Sequence, residues 1–91
     1  MLDLRDLQCF VAVYEEGGFV HAARALGLAQ SAVSNRVRSL EEELGATLFE
    51  RHRRRRGVFV TDKGEQLYAY ARRVLEQVSE AETAMRVKPA A

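Results

Sequence analysis

The sequence predicts a mainly α fold in which three short helices and a two-stranded hairpin are followed by one long helix. Three stretches carry apolar residues at helical spacing, and they end at Gly17, Gly27 and Gly45. Two short β-prone pieces then flank an arginine run that ends at Gly57. With 91 residues, 47% of them hydrophobic, the chain has the size of one small domain with a modest core.

The first two helices are short, and each has a predicted inner face. Asp3 is the expected N-cap of the first helix, which Gly17 and Gly18 end. Its inner face consists of Leu4, Leu7, Phe10, Val11 and Tyr14. The inner face of the second helix consists of Phe19, Ala22, Ala23 and Leu26, and Gly27 follows as its end.

The third helix is predicted from residue 30 to residue 44. Its core positions lie within about 40° of one direction on a helix of 100° per residue. They are Val33, Val37, Leu40 and Leu44. Ala29 precedes this helix and has no side-chain oxygen with which to cap it. A shifted helix start is therefore one expectation, and capping by backbone groups or water is the other.

The second and third helices together predict a helix-turn-helix. A tight turn with Gly27, where a positive φ is expected, joins them. Such a motif places its second helix in the major groove of DNA, where Gln and Asn can pair with adenine and Arg with guanine. The predicted base contacts are Gln30, Ser31, Ser34, Asn35 and Arg38. A helical hairpin with a solvated polar face is the alternative interpretation.

Charge is segregated along the chain, although the net charge is only +1. From Arg51 to Lys63 there are six basic residues and one acid, Asp62. Such a compact basic run indicates contact with a polyanion, and nucleic acid is the first candidate. A solvated charged loop is the alternative for this run, and a solvated face is expected for the three glutamates at residues 41–43.

The last helix is predicted to begin at Thr61 or Asp62 and to end at about Arg86. Asp62 followed by Glu65 resembles a capping box. Apolar residues in steps of 4, 3, 4, 3 and 4 form an a/d pattern typical of a dimer seam. The predicted dimer interface consists of Leu67, Ala71, Val74, Val78, Ala81 and Met85. Tyr68 and Leu75 are expected to pack on the core beside it; a seam packed within one chain is the alternative.

Four ordered motifs then point to a known family. They are residues 22–34 (AARALGLAQSAVS), residues 40–45 (LEEELG), residues 48–51 (LFER), and Val60-Thr61 with Gly64. Over residues 3 to about 86 the chain resembles the N-terminal domain of LysR-type transcriptional regulators. The resemblance implies a winged helix-turn-helix at residues 1–61 and a linker helix at 62–86 that pairs antiparallel with a second copy. Residues 87–91 are expected to fray.

The same resemblance implies sequence-specific binding of double-stranded DNA, with the third helix in the major groove and an arginine-rich wing in the minor groove. Minor-groove contacts are expected from Arg53, Arg54 and Arg55, with Arg54 as the inserted residue. Phosphate contacts are expected from His21, Arg36, Arg51 and Arg56. A homodimer implies a pseudo-palindromic site, and a full-length parent can form higher oligomers. MarR-like and molybdate-responsive winged helices fit the motifs less well.

Other functional classes have less support. A helical dimerisation module whose basic loop binds RNA or an acidic protein is the main alternative. No enzyme, metal or cofactor is expected, because His21, His52 and the single Cys9 lack ligand spacing and no nucleophile or phosphate-loop pattern occurs. Cys9 is expected to be a buried small side chain, and Tyr14, Tyr68 and Tyr70 to be packing residues.

The surroundings of the protein can also be predicted. The sequence contains neither a long apolar run nor a signal-peptide pattern, so no membrane partner and a cytoplasmic location are expected. LysR-type proteins carry an effector-binding domain after the linker helix. A small-molecule effector is therefore expected to act only through a domain absent from this chain.

Overall fold

The computed structural model describes residues 1–51 and 57–86, and within them the predicted mainly α fold is confirmed. The helices are α1 (Leu4–Glu16), α2 (Phe19–Leu26), α3 (Gln30–Leu44) and α4 (Asp62–Met85), and the strands are β1 (Phe49–Arg51) and β2 (Val58–Val60). The predicted tail at residues 87–91 lies outside the described residues. The division into a domain and a linker helix stays a prediction, although α4 begins at the expected residue.

The three short helices begin and end where capping chemistry predicts. The Asp3 carboxylate accepts a hydrogen bond from the Arg5 backbone N–H at 2.8 Å, which caps α1. Gly27 ends α2 with φ of 68°, as the turn of the helix-turn-helix requires. No side chain caps α3, yet it still begins at Gln30, because the Ala29 carbonyl accepts from the backbone N–H of Val33 at 3.2 Å.

The core lies where α1, α2, α3 and β1 meet. Its largest fully buried side chains include Phe10 of α1, Leu40 of α3 and Leu48 before β1. Three predicted core residues are exposed instead: Leu4 at 43%, Leu26 at 38% and Leu44 at 39%. Each is the first or the last residue of its helix, where the apolar spacing predicts an inward position that the neighbouring elements cover only in part.

The two strands form an antiparallel ribbon that leads directly into α4. Phe49 pairs with Val60 and Arg51 pairs with Val58. The N-cap of α4 is Thr61, whose hydroxyl accepts from the Gly64 N–H at 3.0 Å and donates to the Thr47 carbonyl at 2.6 Å. The predicted capping box at Asp62 and Glu65 is therefore wrong by one residue.

The first half of α4 packs on α1, and this corrects part of the predicted dimer seam. Ala71 is 1% exposed within a single chain, so it belongs to the core and cannot supply surface to a second copy. Leu67, Tyr68 and Leu75 pack partly against the same core, as predicted for the last two. Tyr70 was predicted to pack, but it is 64% exposed, because it lies about 100° around α4 from Ala71.

The second half of α4 extends beyond the rest of the chain. The described structure measures 59 × 25 × 17 Å, and its long dimension reflects this helix. Met85 is 83% exposed and Val74 is 40% exposed. Across residues 1–51 and 57–86 no helix combines the length and the apolar character that a membrane span needs.

Candidate nucleic-acid interface

The polar face of α3 is accessible along its first two turns. Gln30, Ser31, Asn35 and Arg38 are exposed, and Ser34 is half-buried at their edge. The Arg38 guanidinium lies 3.5 Å from the Asn35 side-chain oxygen. The five predicted base-contacting residues therefore share one accessible surface, backed by the buried Val33, Val37 and Leu40 of the same helix.

Arg51, at the end of β1, connects the wing to both helices of the helix-turn-helix. Its Nη2 donates a hydrogen bond to the Ser34 Oγ at 2.9 Å. Its guanidinium also lies 4.0 Å from the centre of the Phe19 ring, at cation–π distance. These contacts fix the base of the wing beside the first turns of α2 and α3.

A hollow of about 490 Å³ lies where the α1–α2 turn, the start of α3 and the wing meet. Its lining includes His21 of α2, Gln30 of α3, and Arg51 and Gly57 at the base of the wing. A Cβ added to Gly57 would lie 3.2 Å from the Gly17 carbonyl oxygen, so the wing approaches this turn closely. The hollow thus brings three predicted DNA-contacting residues to one side of the molecule.

The sequence also matches a family. Residues 4–65 fit the profile described as bacterial regulatory helix-turn-helix protein, lysR family. The chain belongs to the LysR family. The match covers α1, the whole helix-turn-helix, both strands and the first turn of α4, so it includes every element that builds the surface described above.

Similar proteins and structures agree with this membership of the LysR family. The HTH-type transcriptional regulator CzcR of Bacillus thuringiensis subsp. konkukian is 39% identical over 79 residues, which are 87% of this chain and 27% of that protein. The BenM DBD in its complex with benA site 1 DNA has a TM-score of 0.84 and 40% identity, covering 92% of this chain and 95% of that one.

The CbnR DBD–DNA complex also has a TM-score of 0.84, with 33% identity over 92% of this chain and 94% of that one. The chain spans about a quarter of the length of the curated LysR-family relatives that it matches.

Arg36, a predicted phosphate contact of this LysR-family chain, also has a contact within the chain. Arg36 donates from Nη1 to the Asp6 carboxylate at 3.1 Å, and Asp6 is only 5% exposed. This ion pair joins α3 to α1, and the phosphate contact of Arg36 stays a prediction. The sequence gives no sign of this role of Asp6, because its partner lies 30 residues away.

Glu41 is another residue whose role the sequence did not reveal. Its carboxylate accepts from the backbone N–H groups of Leu48 at 2.7 Å and Phe49 at 3.4 Å. It therefore fixes the turn between α3 and β1, whereas a solvated position was expected. The neighbouring Glu42 and Glu43 are exposed, as the sequence predicts.

Cys9 is buried, as expected, with 2% of its surface exposed. Burial raises the pKa of its thiol, which keeps the sulfur protonated and unreactive. Among the described residues no group of three His, Cys, Asp or Glu side chains is arranged to hold a metal ion. The predicted wing residues His52, Arg53, Arg54, Arg55 and Arg56 lie outside the described part of the chain.

Proposed function

We propose that this chain reads a double-stranded DNA sequence as a homodimer, with α3 in the major groove and the wing in the minor groove. One observation carries the proposal: the accessible polar face of α3 lies beside the base of the arginine-rich wing on a LysR-family domain. The similar BenM and CbnR structures, which are DNA complexes, support it.

Major-groove reading by α3 is supported by the chemistry of its exposed face. Asn35 can pair bidentately with adenine and Arg38 with guanine. Their separation of three residues places them on adjacent turns of one helical face. Gln30, Ser31 and Ser34 complete this face towards the helix N-terminus, the end that a helix-turn-helix points at base edges.

The base of the wing is positioned to contact the DNA backbone beside α3. A guanidinium carries five N–H donors, and Arg51 uses one on Ser34, so others remain for phosphate. His21 borders the same hollow and is exposed. We assign Arg54 to the minor groove, with Arg53 and Arg55 beside it and Arg56 on phosphate, because narrow A·T-rich grooves attract arginine.

The dimer is supported by an apolar strip on the outer side of α4. Tyr70, Val74 and Met85 are exposed large side chains, and Tyr70 takes the place that the sequence pattern had given to Ala71. We pair this strip antiparallel with the same strip of a second copy, which sets Val74 opposite Val78 of that copy and demands a pseudo-palindromic site.

Several properties belong to the whole regulator in this proposal. The curated relatives are roughly four times as long as the matched segment, which leaves most of their length to other functions. We propose that effector sensing, higher oligomers and the cytoplasmic location are properties of the whole regulator.

The main experiment is selection of bound duplexes from a random pool. We expect an inverted repeat whose half-site centres lie about 10 base pairs, or a multiple of that, apart. Asn35→Ala should relax base preference at one position and cost about 1–3 kcal/mol there. Ser39→Ala, an exposed change on the same helix outside the reading face, is the matched control.

Two results would contradict DNA reading. One is a selected pool with no common sequence. The other is salt-sensitive binding of equal strength to duplex DNA, RNA and an acidic protein, which would favour the interaction-module alternative.

The wing needs a separate test. Arg54→Ala should weaken binding more on an A·T-rich flank than on a G·C-rich one. The minor groove of A·T-rich DNA is narrower, and its negative potential attracts arginine more strongly. Arg56→Ala should weaken binding to both flanks equally and lower the salt slope by about one. Equal losses for Arg54→Ala on both flanks would overturn its minor-groove assignment.

A further inference from the structure

Two tyrosines stack between α1 and α4, away from the face that reads DNA. The rings of Tyr14 on α1 and Tyr68 on α4 have centroids 3.7 Å apart and planes inclined by 7°. Neither ring belongs to the fully buried core, and both lie at its edge. The stack is thus a direct contact between the helix-turn-helix body and the helix that carries the proposed dimer surface.

Each tyrosine also donates a hydrogen bond to a carboxylate on the opposite helix. The Tyr14 hydroxyl donates to Glu65 of α4 at 3.1 Å, and the Tyr68 hydroxyl donates to Glu15 of α1 at 2.6 Å. Arg72 of α4 donates to the same Glu15 at 3.2 Å. We call these five residues the tyrosine cluster.

The geometry of the tyrosine cluster restricts how α4 can turn on α1. Small apolar contacts such as that of Ala71 fix the distance between two helices, but they allow some rotation. A parallel ring stack and crossed hydrogen bonds depend on direction as well as distance. The cluster therefore selects one angle between α4 and α1.

This angle matters because α4 is long. From Tyr68 to Met85 the helix extends about 25 Å at 1.5 Å per residue. A rotation of about 8° at the cluster would displace the far end by about 3.4 Å, which is one base-pair step of DNA. The position of a second reading helix on DNA is therefore sensitive to the angle at which α4 leaves the body.

We propose that the tyrosine cluster is a positioning device that sets the distance between the two reading helices, and thereby the half-site spacing that the dimer prefers. The inference rests on the dimeric DNA-binding mode proposed above. It assigns a role in sequence selection to residues that contact no base: Tyr14, Glu15, Glu65, Tyr68 and Arg72.

The test measures binding of the 91-residue chain to duplexes that differ only in spacing. One series carries the selected inverted half-sites with the selected spacer, and with one or two base pairs added or removed. A further duplex carries a single half-site. Spacer discrimination is the ratio of the Kd for a spacer changed by one base pair to the Kd for the selected spacer.

Tyr68→Leu removes the ring stack and one hydrogen bond. We expect its spacer discrimination to fall by about three- to tenfold, the factor that corresponds to one aromatic pair, with single half-site affinity unchanged within about twofold. Tyr68→Phe keeps the ring stack and loses only the hydrogen bond, so its spacer discrimination should fall by about twofold. Uniformly weaker binding with full discrimination would overturn the proposal and leave the cluster a purely stabilising role.

A matched pair of arginine changes keeps the proposal testable if circular dichroism shows Tyr68→Leu to be unfolded. Arg72→Gln breaks the contact with Glu15 of α1 and a contact with Glu76 within α4, whereas Arg86→Gln breaks only a contact with Glu82 within α4. The first should lower discrimination about twofold and the second should leave it unchanged, and equal effects would overturn the proposal. A wild-type chain that selects no duplex would instead overturn the proposed function itself.

Discussion

The body of this protein and the second half of α4 contrast sharply in how they bury their apolar residues. The body, formed by α1, α2, α3, both strands and the first half of α4, covers Leu40 completely and leaves 1% of Ala71 exposed. The second half of α4, which begins near Glu76, leaves Met85 83% exposed. The same 4, 3 spacing of apolar residues continues through both halves of the helix.

The difference shows that the apolar spacing does not by itself decide what a helix packs against. In the first half of α4 the inward positions meet α1, because the chain returns there after the wing. The second half has no other element of the described chain beside it, so its apolar strip stays available for a second copy. Changes in the body should therefore alter stability, and changes beyond it should alter assembly.

The largest expected difference comes from truncating one apolar side chain in each region. Leu40→Ala should lower the free energy of unfolding by about 2–5 kcal/mol, because it leaves a cavity in a fully buried site. Met85→Ala should change it by no more than about 0.5 kcal/mol in the monomer. Urea unfolding followed by circular dichroism measures both, and similar losses would remove the contrast.

A second comparison uses glycine and alanine on α4 itself. A Cβ on Gly64 would collide with the Leu48 carbonyl oxygen and would lie 2.7 Å from a methyl of Val60. Gly64→Ala should therefore destabilise the chain by about 1–3 kcal/mol, although alanine favours helix. At the exposed Ala81 the order should reverse, with Ala81→Gly costing up to about 1 kcal/mol. A stabilised Gly64→Ala variant would contradict the close approach of α4 to β1 and β2.

A smaller effect is expected from the carboxylate that fixes the turn after α3. Glu41→Ala leaves the N–H groups of Leu48 and Phe49 without their acceptor, and should cost about 1–2 kcal/mol. Glu42→Ala, at an exposed position of α3, should be neutral within about 0.5 kcal/mol. Thermal unfolding of the two variants measures the difference, and equal midpoints would argue against the role of Glu41.

The smallest effect concerns pH and the junction between the two regions. Burial and the bond to Glu65 raise the pKa of Tyr14, and the bond to Glu15 and burial raise the pKa of Tyr68. A raised folded-state pKa means that this stabilisation is complete below the ordinary value of 10.0 and is lost as the pH rises through the folded-state values. The melting temperature should therefore decline above about pH 10.

A double Tyr14→Phe, Tyr68→Phe variant should show a weaker decline above about pH 10, because it has lost both ionisable hydroxyls. Tyr70→Phe removes a hydroxyl outside the tyrosine cluster and should leave the decline in place. A decline unchanged in the double variant would show that other groups cause it.

Local signals in the sequence were enough to predict most of the fold. The limits of α3 followed from its apolar spacing and from Gly45, and the turn at Gly27 has the positive φ expected of it. Periodicity failed at helix ends, where Leu4, Leu26 and Leu44 are exposed although their spacing predicts an inward position. It also assigned Ala71 rather than Tyr70 to the outer side of α4, since spacing alone does not tell which side α1 covers.

The candidate site was predictable in type but not in its internal contacts. The polar residues of α3 and the family resemblance predicted the surface that we propose reads DNA. The contacts of Arg36 with Asp6 and of Arg51 with Ser34 join residues 30 and 17 positions apart, and each pairing depends on how the helices cross. One sequence gives no means to choose among many possible acid and base partners at such separations.

Because Cys9 is buried, its reactivity towards a thiol reagent can report local opening of the protein. The sequence holds a single cysteine, and it is only 2% exposed, so the structure around it must open locally before a reagent can reach the sulfur. The rate at which a thiol reagent labels the native protein therefore measures local opening around Cys9, without any introduced probe. Comparing that rate in free and DNA-bound protein would show whether DNA binding also reduces local opening around Cys9 on α1.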